Sequence, residues 1–181
     1  MKIGCCAYSF RGYFKDGRMS LEGFLDKVVE MGLDGVELTA YYFPTTEAGY
    51  INRIKREAFL MGLDISGTAV GNNFCREDPE QRREQVEMVR MVDISCRLGA
   101  PCLRVFAGGV PEGHTEEEAF GWVVDSLKGC VEYAAEKGVM LALEDHRGIT
   151  STAEQVLKIY KRAISSTPKP VRKKRRTSGR S

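Results

Sequence analysis

The sequence predicts a parallel α/β fold made of repeated strand–helix units. Three observations carry this: a glycine that punctuates the chain at regular intervals, helix-start signals that follow each presumed strand, and an apolar face on every strand. The glycines are Gly32, Gly62, Gly99 and Gly138, spaced by 30, 37 and 39 residues. That interval holds one helix, one strand and their loops. Each glycine stands where a helix would end in a left-handed cap.

The strand segments follow those glycines. Gly35-Val36-Glu37-Leu38-Thr39 comes after Gly32, and Ile65-Ser66-Gly67-Thr68-Ala69-Val70 after Gly62. Cys102-Leu103-Arg104-Val105-Phe106 comes after Gly99, and a strand starting at Val139 after Gly138. With Lys2 to Phe10 as the first strand, the chain contains five βα units. Strands are expected near residues 2–9, 35–40, 64–70, 102–107 and 139–144.

The helix starts agree with this order. Ser20 can cap the helix from Leu21 to Met31. Asp78-Pro79 sets a capping acid before a proline at the first helical position. Thr115 with Glu118, and Thr152 with Gln155, have capping-box spacing. Between the caps, Phe24, Leu25, Val28, Val29 and Met31 recur at helical spacing. So do Val86, Val89, Val92 and Leu98, and then Val123, Leu127, Val131 and Ala134. Such alternation implies parallel strands joined by right-handed crossovers, in an open doubly wound sheet or a closed barrel. Ala7 to Gly12 is not a glycine-rich phosphate turn, which weighs against a dinucleotide-binding sheet.

Strand parity favours the barrel. Val36, Leu38, Leu103, Val105, Leu141 and Leu143 share one aliphatic face, suited to covering helices. The opposite face carries Glu37, Arg104 and Glu144. Ionisable groups on a sheet face are costly unless they pair or meet a polar cavity, and a barrel mouth is such a cavity. The segment Val139 to His146 is the most pointed example. An apolar run ends in Glu144, Asp145 and His146, and an acid with an imidazole at a strand end suits divalent-metal or proton-transfer chemistry.

Composition sets outer limits. The 181 residues suffice for one domain with a sizeable core, and 43% hydrophobic with 29% charged residues is ordinary for a globular protein. No apolar run approaches a membrane span, and Met1 to Gly4 lacks the apolar region of a signal peptide. The six cysteines show neither zinc-knuckle nor disulfide-framework spacing, so they are expected to be reduced, mostly buried thiols of a cytoplasmic protein. Net charge is +2, yet residues 165–181 carry seven Lys or Arg and no acid, leaving about −5 for residues 1–164. Residues 1–164 therefore form the expected domain and 165–181 a basic tail, expected to be disordered. The mildly acidic body gives no support to nucleic-acid binding.

Lys2-Ile3-Gly4 with Tyr8-Ser9-Phe10, Gly35 to Leu38, Leu103 to Gly108, and Leu141 to His146 together resemble the xylose isomerase-like TIM-barrel superfamily. The resemblance is to its sugar phosphate isomerase/epimerase branch and spans roughly residues 1–160. It implies a TIM (β/α)8-type barrel of which about the first five βα units are present, so that the chain reads as C-terminally truncated. It also implies a metal-dependent isomerase or epimerase of carbohydrate metabolism, acting on a sugar or sugar phosphate through an enediolate. Glu144 takes the place of the family's strand-five metal ligand and is the catalytic candidate. Glu37, Arg104 and His146 are substrate-binding candidates. For Glu144, pairing with Arg104 is the competing structural role; for Glu37 and Arg104 it is their mutual pairing, which is the favoured reading.

Oxygen ligation points to Mn²⁺ or Mg²⁺, with Co²⁺ or Zn²⁺ as histidine-bearing alternatives. The family's other ligands, an aspartate, a histidine and a second glutamate, belong to later strands for which this chain has no sequence. Open sheet edges would favour self-association into a homo-oligomer. His114, in the polar loop before a capping box, is expected to be solvated. Two other readings compete with this one. An abasic-site endonuclease of the same fold would need histidines near Ala69 to Phe74 and Phe106 to Gly109, where none occur. A non-catalytic fragment would rely on its basic tail, Arg172 to Arg180, to bind nucleic acid.

Overall fold

The computed structural model describes residues 1–164. The expected basic tail lies outside the described residues. Five strands form a single sheet in sequence order: β1 (Gly4–Cys6), β2 (Gly35–Thr39), β3 (Asp64–Ala69), β4 (Cys102–Val105) and β5 (Met140–Leu143). Every neighbouring pair is parallel. The helices are α1 (Arg11–Lys15), α2 (Leu21–Glu30), α3 (Ala48–Leu60), α4 (Pro79–Met88), α5 (Val92–Leu98), α6 (Glu116–Glu136) and α7 (Ala153–Ile164). None of the described helices is long and apolar enough to cross a membrane.

The punctuating glycines do what their spacing implies. Gly32, Gly62, Gly99 and Gly138 all have φ between 69° and 81°. At each, the following residue's N–H returns to the helix, as in Leu33 to Val28 O at 3.1 Å and Val139 to Ala134 O at 2.9 Å. This is the bond pattern that satisfies the last carbonyls of a helix before a strand. At the helix starts, Ser20 Oγ accepts from Gly23 N, and Asp78 Oδ1 from Glu80 N. Both capping boxes form, Thr115 with Glu118 and Thr152 with Gln155.

Burial follows parity. Val36, Leu38, Leu103 and Val105 are fully buried. They pack under the helices in two clusters, one around α2 and α3 and the other around α6 and α7. Glu37 and Arg104 lie on the other face and keep partial access to solvent.

Three features depart from expectation. The first strand is three residues long, not eight, because Ala7–Phe10 turns into a 3₁₀ helix that leads into α1. The helix expected to run on to Leu98 is interrupted by a 3₁₀ turn at Val89–Met91. That turn carries Val89 and Met91 into the core between α4 and α5. The apolar stripe of α2 is narrower than its sequence suggests, since Val29 and Met31 are 44% and 49% exposed.

One irregularity resets the inner face. The β2–β3 register shifts between Val36 and Glu37, which pair with Ile65 and Gly67 and leave Ser66 as the extra residue. Gly67 thereby stands opposite Glu37. A Cβ at Gly67 would lie 2.9 Å from Cys102 Sγ, so glycine leaves room there for the Cys102 side chain.

Candidate functional site

The C-terminal ends of the parallel strands open onto one rim, and Glu144 lies on it. β4 and β5 pair Arg104 with Ala142 and Val105 with Leu143. The ladder continues one step further through Glu144 N to Val105 O at 3.0 Å. Glu144 thus leaves the sheet at the rim with its carboxylate on the Arg104 side. Arg104 Nε lies 2.8 Å from Glu144 Oε2, with side-chain exposures of 14% and 37%. Arg104 Nη1 donates to Val70 O at 2.9 Å, and its guanidinium sits 4.0 Å from the Phe106 ring centroid.

This geometry separates the candidates. Arg104 pairs with Glu144 and not with Glu37, contrary to the favoured reading from the sequence. Glu37 instead accepts from Cys6 Sγ at 3.0 Å. Burial, together with the neighbouring Glu37 carboxylate, pushes the Cys6 thiol up to about 11. His146 is joined to the pair through Phe106, whose ring lies 4.8 Å from the imidazole. Phe106 therefore touches both the Arg104 guanidinium and the His146 ring. Arg104, Glu144 and His146 form one group, and Glu37 makes its polar contact elsewhere on the inner face.

The loops after β3, β4 and β5 are tied together. Asn72 is buried, and its side chain accepts from Phe106 N at 2.9 Å and donates to Phe106 O at 2.8 Å. Phe74 N and Cys75 N both reach Ala107 O. Ile149 N reaches Gly108 O at 3.3 Å. Between these loops lies a cleft of roughly 220 Å³ lined by Asn72, Asn73, Phe106, Gly108, Gly109, His146, Arg147 and Thr150. Sequence reasoning missed Asn72, Phe106 and Arg147. The adjacent asparagines after β3 and the inward parity of Phe106 were the available signals.

Other expectations need correction. His114 is not solvated. Its side chain is 20% exposed, with Nε2 3.2 Å from Glu77 Oε2 and the ring edge-to-face with Trp122. The six cysteines are free, as expected, but Cys75 and Cys130 alone are buried. Cys96 is exposed.

Among the described residues, no group of three or more His, Cys, Asp or Glu side chains could hold a metal ion. Residues 165–181 contain none of these residue types. The described residues therefore do not fit a whole divalent centre.

Comparison with known proteins places this geometry. The structure is similar to that of D-psicose 3-epimerase with D-tagatose from Clostridium cellulolyticum H10, at 18% identity and a TM-score of 0.71, covering 90% of this chain and 60% of that one. It is similar to the same extent to the probable 3-DHS dehydratase AsbF, involved in petrobactin synthesis, from Bacillus anthracis: 18% identity, TM-score 0.71, 90% of this chain and 59% of that one. Protein SMc04130 from Sinorhizobium meliloti 1021 is 24% identical with a TM-score of 0.65, over 78% of this chain and 54% of that one. At these identities the likeness is one of fold, and the chain spans about 60% of the length of the first two. No curated protein matches the sequence. The family model for the xylose isomerase-like TIM barrel matches residues 25–167. With five parallel strands in barrel order and a match across most of its length, the chain belongs to the xylose isomerase-like TIM barrel family.

Proposed function

We propose that the chain carries part of the active site of a sugar or sugar-phosphate isomerase or epimerase. The observation that carries this reading is the Arg104–Glu144 pair at the C-terminal rim of a parallel sheet, where this fold places its chemistry. Isomerisation moves a proton between two adjacent carbons, and epimerisation takes a proton from one face of a carbon beside a carbonyl and returns one to its other face, both through an enediolate. A carboxylate held 2.8 Å from a guanidinium is fixed in direction. Arg104 also supplies positive charge where an enediolate oxygen would form. His146, whose ring packs tilted against Phe106, is assigned to a substrate hydroxyl or carbonyl.

Glu144 is further assigned as one ligand of a divalent ion, Mn²⁺ or Mg²⁺ ahead of Co²⁺ or Zn²⁺, since its donor is an oxygen. When bound, such an ion would polarise a carbonyl and its neighbouring hydroxyl. Its remaining ligands must come from outside the described residues.

Paramagnetic broadening tests the assignment. Mn²⁺ titrated into the labelled chain should broaden resonances of Phe106, Glu144 and His146 first, and Glu144→Gln should abolish that pattern. Broadening centred elsewhere, or unchanged by Glu144→Gln, would remove Glu144 from the ligand set.

A further inference from the structure

We infer that the cleft between the β4 and β5 loops is an oxyanion subsite, fitted to a phosphate or carboxylate group of the substrate. The inference rests on the sugar-isomerase reading for the word substrate, but the anion site itself stands on its own geometry.

The cleft is polar and carries positive charge without an internal counter-ion. Arg147 lines it, is exposed, and makes no salt bridge among the described residues. The His146 ring lines it too, and its contact within the protein is with the Phe106 face. Asn73 Oδ1 is engaged by Cys75 N at 3.0 Å, which leaves its amide NH₂ as a donor. Asp145, the nearest acid in sequence, does not line the cleft. Arginine, histidine, an asparagine amide and glycine backbone make a donor set matched to a tetrahedral or planar oxyanion.

Beside the cleft the loops pack closely, backbone against backbone, which fixes the shape of the site. Gly108 has φ of 112°, and a Cβ there would collide with the Asn73 side chain. Gly148 has φ of 70°, and a Cβ there would lie 2.2 Å from Gly108 O. The two glycines let the β4 and β5 loops meet main chain to main chain. Ile149 N bonds Gly108 O at this contact, so both loops are held in position. Gly109, next to it, has open space where a Cβ would stand.

Position gives the subsite its purpose. Phe106 forms one wall of the cleft and also carries Arg104, the partner of Glu144, on its ring. An anionic group seated against Arg147 would sit beside the carboxylate that faces the reacting carbons. The cleft, roughly 220 Å³, has room for a phosphate or carboxylate group. Substrates with a charged terminus would be anchored there, with their carbon chain directed toward Glu144.

Ligand-observed ³¹P NMR on the full 181-residue chain tests this, and it reads binding whether or not the chain self-associates. Inorganic phosphate and fructose 6-phosphate are the probes, at constant ionic strength in chloride. Both should show line broadening that saturates, and Arg147→Ala should weaken it about tenfold. Arg83→Ala, removing an exposed arginine of α4, is the control and should leave it unchanged. Equal binding by wild type and Arg147→Ala, or broadening that chloride abolishes, would overturn the subsite. Gluconate competition separates a general oxyanion site, which gluconate displaces, from one restricted to phosphate; displacement by neutral fructose would overturn the charge-based assignment. Phosphate binding without any ketose chemistry in a completed barrel would count against the isomerase reading alone. Chemistry on neutral ketoses without phosphate binding would count against the subsite alone.

Discussion

Arg104 Nε lies 2.8 Å from Glu144 Oε2, bridging the last two strands of the sheet at the rim where both end. The cation is the more buried partner, so the pair is asymmetric. Losing the carboxylate strands a guanidinium that keeps one carbonyl and one aromatic face. Glu144→Gln should cost about 1–2 kcal/mol, between the values for exposed and buried pairs. A double-mutant cycle with Arg104→Met checks this by denaturant midpoints. The double variant should lose less than the sum of the singles, by about 1 kcal/mol.

Gly148 should tolerate no side chain. Its left-handed φ and the 2.2 Å approach to Gly108 O mean that alanine must displace backbone, with no flexible side chain to yield. Gly148→Ala is expected to lower stability by more than about 2 kcal/mol. Gly109→Ala, with open space at its Cβ position, should be close to neutral. Thermal melts of the two variants provide the comparison.

Thiol reactivity should divide the six cysteines. Burial pushes Cys75 up to about 11 and Cys130 up to about 12, and burial with Glu37 nearby pushes Cys6 up to about 11. A raised thiol pKa keeps the group protonated, so at pH 8 these three have almost no reactive thiolate. Cys96 is exposed. Iodoacetamide at pH 8 followed by peptide mass spectrometry should find Cys96 modified first and Cys75 and Cys130 last. Raising the pH toward 11 should bring Cys6 into reaction while Cys130 lags.

Much of the fold was legible because it repeats. One capping glycine per unit, with φ confirmed in the left-handed region at Gly32, Gly62, Gly99 and Gly138, is a local signal that tertiary context does not override. The inward parity of Arg104 and Glu144 was equally legible, since alternation is fixed by strand geometry. What the sequence concealed was non-local. The bulge at Ser66 is a register choice between β2 and β3 with no composition cue. α3 starts at Ala48 with no side-chain cap from Glu47, so it carried no start signal. The choice of Glu144 over Glu37 as the partner of Arg104 depends on which strand neighbours β4 at the rim. The loop cleft depends on Asn72 reaching from β3 to the Phe106 backbone, 34 residues away.

Among the described residues β5 has no strand on its outer side, and that edge should drive association. Met140 is 68% exposed on that strand, and Leu157 and Tyr160 of α7 are 51% and 56% exposed around an apolar groove beside it. An unpaired parallel edge next to exposed apolar surface is an aggregation template. The chain should sediment as oligomers in a concentration-dependent manner. Met140→Lys with Tyr160→Glu should shift it toward monomer, and sedimentation velocity reads the outcome. A clean wild-type monomer with cooperative unfolding would contradict this.

The strongest test of how much site the chain contains is catalytic. Glu144 is the proposed ligand at the rim, where among the described residues no group of three or more His, Cys, Asp or Glu could hold a metal, and Arg104 pairs with it. A divalent ion there would compete with a guanidinium 2.8 Å away and would gain no second carboxylate. Metal affinity falls steeply as ligand number and charge fall, so Mn²⁺ should bind no tighter than about 1 mM, the weak end of the range for oxygen-ligand sites. Without the ion, proton abstraction beside a ketose carbonyl lacks its electrophile. Solvent-deuterium exchange at C2 or C3 of ketoses should therefore stay at the uncatalysed rate with or without added Mn²⁺. Robust metal-dependent exchange, lost in Glu144→Gln, would show that five βα units suffice or that copies of the chain complete one another's sites. Exchange that survives Glu144→Gln would move the chemistry away from the rim pair altogether. No exchange alone, with exchange restored when a polypeptide carrying three further βα units is added, would place the missing ligands on those units and leave Glu144 in its proposed role.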